Sequence, residues 1–175
     1  METHVDAEFG LMTAHGSGQW VLEQGIVLGS QRVAIEVELD EEHALEPQQR
    51  QALRYVFALG SDALEQAAPA VVQNYEVYRE AIDDDEQTPP LDTPVDVWQQ
   101  VQIDHIAVPR HYGARHAYFL LSGECAWAPA DGLEVRFRDG VAIEADQIGQ
   151  SGGANDDTPE HLAVLHQLIV DASST

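Results

Sequence analysis

Between Gln31 and Asp40 apolar and polar residues alternate without a break, Val33, Ile35, Val37 and Leu39 on one side and Arg32, Ala34, Glu36 and Glu38 on the other. A period of two puts successive side chains on opposite faces, so this is a strand with one buried face. Trp20 to Leu28 is the expected antiparallel partner, with Gly29-Ser30 as a two-residue turn between them. His15-Gly16-Ser17-Gly18 reads as a turn before that hairpin, and residues 1–18 are expected as a flexible lead-in.

The period changes at Glu46. Pro47 stands where a first helical turn accepts proline, Leu53, Val56 and Phe57 follow at helical spacing, and Gly60 is the expected cap. A second helix follows Ser61, with Leu64, Ala68, Val71, Val72, Tyr75 and Tyr78 along one face. Pro69 lies inside it and predicts a bend or two abutting segments, because proline removes a helical N–H and crowds the preceding turn.

Asp83 to Thr93, DDDEQTPPLDT, has no periodicity and reads as an acidic connector. Alternation then resumes. Val97, Gln99, Val101, Ile103 and His105 predict a strand, and His116 to Gly123 another. Leu133, Val135 and Phe137 face one way with Glu134, Arg136 and Arg138 opposite, then Asp139-Gly140 forms the turn into Val141, Ile143 and Ala145. Residues 150–157 read as a linker. Thr158 and Pro159 open an expected C-terminal helix over 158–171 that carries Leu162, Leu165 and Ile169, with His161 and His166 near its edge. The order of elements predicts a single α+β domain over 19–149. Its mostly antiparallel sheet, an N-terminal hairpin plus a C-terminal meander, is packed by two central helices and the short C-terminal one.

Composition narrows the class of partner. The 175 residues carry 31 acidic and 8 basic side chains, a net charge of −23, and every basic residue is arginine. Phosphate polymers are held by Lys and Arg, so nucleic acid and anionic membrane are excluded as expected partners and a basic protein is favoured. With 44% apolar residues the chain has material for a core, unlike an acidic disordered tail. The one cysteine, Cys125, precludes an internal disulfide and, beside Trp127, reads as a small buried residue rather than a nucleophile. The N-terminus has no signal-peptide pattern and no stretch approaches membrane-spanning length, so a cytoplasmic protein is expected.

Two groups of residues carry candidate chemistry. Asp104, His105, Arg110, His111, Tyr112, Arg115 and His116 surround Pro109 and Gly113 in a loop between strands. His105, His111 and His116 are the alternative metal or catalytic set, although His111 and His116 lack the spacing of four that puts two ligands on one helical face. The second group is acidic: Glu36, Glu38, Asp40, Glu41 and Glu42 run from a strand face into a turn, and Asp83, Asp84 and Asp85 add to the same field. No motif implies a cofactor. The expected partner-binding set is Glu36, Glu38, Glu41, Glu42, Asp83, Asp84 and Asp85, with Trp98 and Tyr112 as aromatic anchors.

Three stretches together carry a resemblance. They are WVLEQGIVLGSQRVAIEVELD from Trp20, the segment Pro47 to Tyr78 with Gln48, Gln49 and Asn74-Tyr75, and ECAWAPADGLEVRFRDGVAIEADQIG from Glu124 with its Cys125-x-Trp127. In these the chain resembles a family of small acidic bacterial domains of unknown function, some encoded beside toxin genes. Where that family carries an acidic pair and a histidine before the glycine, this chain has Ala128-Pro129-Ala130-Asp131. Together with the net charge of −23 and the lack of a catalytic set, the resemblance implies an immunity protein that neutralises a cationic toxin. A housekeeping domain with a salt-adapted surface and an enzyme using the histidine loop are the competing expectations.

Overall fold

A computed structural model describes residues 2–82, 86, 88–110 and 115–149. Its strands are β1 (Thr3–Asp6), β2 (Gly10–Ala14), β3 (Gln19–Leu22), β4 (Ile26–Leu28), β5 (Gln31–Glu38), β6 (Val101–Val108), β7 (Tyr118–Cys125), β8 (Leu133–Arg138) and β9 (Val141–Asp146). Between β5 and β6 come α1 (Pro47–Phe57), α2 (Ala63–Ile82) and a 3-10 helix over Pro94–Gln100. The sheet order is β1-β2-β3-β5-β6-β7-β8-β9, with β4 also pairing β5. The predicted α+β class with a mostly antiparallel sheet is what forms. Among the described residues the one parallel contact is β5 with β6, where Ala34 lies opposite His105 and Val37 opposite Val108.

The strand from Gln31 follows its alternation: Val33, Ile35 and Val37 are at most 1% exposed. They share a core with Leu53 and Val56 of α1, Val71 and Tyr75 of α2, and Ile106, Phe119, Leu121 and Val135 of the second half. Its expected partner is broken in two. β3 pairs the far end of β5 and β4 the near end, with Glu23-Gln24-Gly25 between them. A Cβ at Gly25 would stand 2.5 Å from the Val33 carbonyl oxygen, so the backbones meet there more closely than a side chain allows.

Residues 3–14, inside the stretch expected to be a flexible lead-in, instead form the β1–β2 hairpin. Salt bridges to α1 fix it. Asp6 receives both terminal nitrogens of Arg50, at 2.6 and 3.2 Å, and Glu8 receives Arg54 Nε at 2.7 Å. Phe9 stacks on Phe57 with ring centres 6.1 Å apart.

The helices also depart from expectation in detail. α1 ends at Phe57 with Ala58 as its cap, before Gly60, and α2 runs unbroken through Pro69. Proline forfeits one N–H there, while the buried Ala67, Ala68, Ala70 and Val71 around it hold the helix against the core. The strand expected from Val97 begins at Val101. Thr93 and Asp96 form a reciprocal capping box, Pro94 fills the first turn, and Val97 and Trp98 are buried by the resulting 3-10 helix. On β8 the polar face opposite Leu133, Val135 and Phe137 is largely buried: Glu134 is 6% and Arg136 2% exposed. The Arg136 guanidinium lies over the Tyr118 ring, 4.7 Å from its centre, and 3.6 Å from Glu144. The linker at 150–157 and the helix at 158–171 lie outside the described residues.

Two signals of the resemblance meet in this core. Trp127 donates its indole N–H to Asn74 at 3.0 Å and sets its ring edge-on to Tyr75 at 5.1 Å. Cys125, 3% exposed, directs its thiol at the Ala128 carbonyl, and burial pushes that thiol up to about 11. Both motifs therefore serve packing.

Candidate functional site: an acidic trough at the end of the parallel pair

β5 and β6 run side by side and release their chains at the same end of the sheet. Glu36 and Glu38 lie on the β5 face opposite Val37, and Asp40 then turns the chain. Its carboxylate accepts the N–H groups of Glu42 at 3.0 Å and Ala44 at 3.2 Å, and its carbonyl accepts that of His43 at 3.1 Å. The turn puts His43 at φ 56°, the left-handed region where non-glycine residues are uncommon.

Arg110 arrives from the end of β6 and crosses to these acids. Its guanidinium meets Asp40 at 3.0 Å and Glu46 at 2.9 Å, while its backbone N–H donates to Glu38 at 3.1 Å. The Ala44 N–H, opposed by some burial and aided by the charge of Arg110, holds the Asp40 carboxyl below the usual range. Beneath them Gln49, 2% exposed, donates to the carbonyls of Glu38 at 2.7 Å and Val108 at 3.3 Å, one from each parallel strand. Its own carbonyl accepts the Glu46 N–H at 3.0 Å and completes the start of α1.

Two clefts open on this end. One, about 490 Å³, lies between the β2–β3 turn and the Asp40 turn and is lined by Glu2, Trp20, Glu38, Asp40, Glu41, His43 and Arg110 among others. The other, about 300 Å³, shares Ser17 and Glu38 with it and adds Glu36. Together they form a trough with five carboxylates and one guanidinium in its walls.

The structure gathers part of the expected set. Glu36, Glu38 and Glu41 border the trough, and Glu42 is exposed on the same turn. Trp98 is not a surface anchor: it is 9% exposed and its indole N–H donates to the Leu64 carbonyl at 2.7 Å. Asp83, Asp84, Asp85, His111 and Tyr112 lie outside the described residues. His105 sits opposite Ser122 with Glu36 at 4.0 Å, whereas His116 lies at the other end of β7 and donates Nδ1–H to Asp139 at 2.6 Å. Arg138 donates to its other nitrogen. Among the described residues no three His, Cys, Asp or Glu side chains are grouped to hold a metal ion.

Glu2, His43 and Glu46 were missed in the sequence. Glu46 was legible, since a carboxylate just before Pro47 with Gln49 following is a capping pattern. Glu2 was not, because its place depends on β1 folding onto the sheet.

Among the described residues a nine-stranded mixed sheet, with helices inserted at the parallel contact of β5 and β6, defines an α+β domain. A family model described as a domain of unknown function, DUF6985, matches residues 8–153, and the chain belongs to that family. No curated protein and no solved structure matches it. Among the described residues no helix is long and apolar enough to cross a membrane.

Proposed function

We propose that this protein is a non-enzymatic binding module whose acidic trough docks a basic protein, and that its most concrete role is that of an immunity protein neutralising a cationic toxin. The observation that carries this reading is the gathering of Glu2, Glu36, Glu38, Asp40 and Glu41 around two joined clefts, with Arg110 as the guanidinium in their walls. Carboxylates held at one end of a rigid sheet attract a cationic surface over a distance of about 8–10 Å at physiological salt and fix its orientation on arrival. Such a surface covers a basic cleft much as the phosphates of a nucleic acid would. The net charge of −23 adds a long-range field of the same sign.

The test is capture from the native cell with the full chain as bait, at low and at high salt. A basic protein recovered at low salt, released at high salt, and lost with Glu41→Gln/Glu42→Gln supports the reading. Failure to recover any basic protein at low salt overturns it.

A further inference from the structure

α2 packs against β9, the last strand in the sheet order, and a groove of about 540 Å³ runs between them. Its helical wall carries Val77, 63% exposed, and the exposed Ala81. Its strand wall carries Ala145 between Glu144 and Asp146. Among the described residues no strand pairs the outer edge of β9.

The chain leaves the described domain at this groove. Gln147 forms part of the wall and donates to the Tyr78 hydroxyl at 2.5 Å and to Asp131 at 3.4 Å, and the Ile148 N–H donates to the Asp131 carbonyl at 3.3 Å. Gly149 follows at φ 79°, a left-handed residue with no atom within 4 Å of where its Cβ would stand. Residues 150–157 then lead to 158–171, where Leu162, Leu165 and Ile169 recur at helical spacing. Extended, that lead spans up to ~26–29 Å at ~3.3–3.6 Å per residue. The helical wall from Gln73 to Ala81 is only ~12 Å long and Leu162 to Ile169 as a helix is ~10 Å, so the apolar stripe both reaches the groove and matches its length.

We infer that residues 158–171 dock as a helix in the α2–β9 groove of their own chain, with Leu162, Leu165 and Ile169 against Val77, Ala81 and Ala145. This contact is separate from the acidic trough and does not depend on the docking role proposed for it. Charge favours this occupant over a second copy, which would bring its own −23 and set Glu144 and Asp146 against their equivalents. Residues 158–171 hold two acidic side chains, Glu160 and Asp171, and place His161 and His166 on opposite margins of the apolar stripe, four positions from Leu165 and Leu162. Whichever margin faces β9 therefore brings an imidazole N–H to Glu144 or Asp146. A lead of this length also holds the segment at an effective concentration on the order of millimolar, so a modest contact is populated without any partner.

The test is NMR on the full chain with labelled Val, Leu, Ile and Ala methyl groups. NOEs from Val77 and Ala81 to Leu165 and Ile169 are expected. Amides of 162–169 are expected to exchange about tenfold more slowly than in Val77→Asp, a change at an exposed position that spares the core. Leu165→Asp with Ile169→Asp is expected to move the Val77, Ala81 and Ala145 methyl signals and leave the indole of Trp20, on β3, in place. Absence of the NOEs, equal exchange in Val77→Asp, or groove methyl groups indifferent to the double substitution overturns the inference. NOEs that run between copies in a mixture of differently labelled chains also overturn it, because the occupant is then a second copy's segment.

Discussion

Replacing Asp6 with alanine tests whether the N-terminal hairpin is an integral part of the domain. The Asp6 side chain is 5% exposed and accepts four hydrogen bonds: from the N–H groups of Glu8 at 2.8 Å and Phe9 at 3.1 Å, and from Arg50 at 3.2 and 2.6 Å. Truncation leaves the buried Phe9 N–H without its acceptor, at ~1–3 kcal/mol. The Glu8 N–H is half-buried and regains water, and Arg50 is one-third exposed, so its share is discounted to ~1 kcal/mol. The sum is about 3 kcal/mol, or roughly 6–12 °C in Tm for a domain of this size.

The assay is urea unfolding of wild type, Asp6→Ala, Arg50→Ala and the double variant, with hydrogen exchange at Leu11 to Thr13 as the local readout. Burial alone would raise the Asp6 carboxyl, but the Arg50 hydrogen bond, the two backbone N–H groups and the Arg50 charge outweigh it and leave it lowered. A lowered carboxyl stabilises the fold above its unfolded value near 3.8 and loses that contribution as pH falls through its folded value. The gap between wild type and Asp6→Ala is therefore expected to be full at pH 7 and to shrink below about pH 4. A cost under ~0.5 kcal/mol, with Asp6 and Arg50 strictly additive, would refute the docking of the hairpin on α1.

Two further outcomes are expected. Gly123→Ala places a Cβ 2.2 Å from the Gln102 carbonyl oxygen, a backbone atom that cannot step aside, and should cost ~3 kcal/mol or more in urea melts; Gly16→Ala, whose nearest neighbour is 3.5 Å away, should stay within ~0.5 kcal/mol. Cys125, its thiol pushed up to about 11 by burial, should react with a disulfide reagent at pH 8 roughly 100-fold more slowly in the native protein than in guanidinium, and equal rates would contradict its place in the core.

The parts of the fold read correctly from sequence are those where local pattern and tertiary need coincide. The strand from Gln31 alternates because one face meets the helices, and Asp139-Gly140 makes its turn with both residues at positive φ. Where the reading failed, either a distant partner or an unread local cap decided the outcome. β1 has too few apolar residues to announce itself and depends on Arg50 and Arg54, more than forty positions away. Val97 fits an alternating pattern, yet the Thr93–Asp96 cap nearby imposes a 3-10 helix on it. For the site, the acids of β5 were visible as a run, but their grouping with Glu2 and Arg110 exists only once three separated segments reach one end of the sheet. Gln49 was noticed as part of a motif, and its role as a buried bridge between strands had no signature in sequence.

The parallel contact of β5 with β6 divides the order in which the chain can close. β1 to β5 and β6 to β9 are two antiparallel ribbons, each joined by connections far shorter than the helical insert and each able to register from neighbours in sequence. The seam between them has no such help. Pairing Ala34 with His105 requires closing the whole helical insert, a non-local step whose entropy must be met before any seam contact repays it. Gln49, reaching from that insert to the last carbonyls of both β5 and β6, latches the seam at its open end, so the trough exists only after the two ribbons have joined.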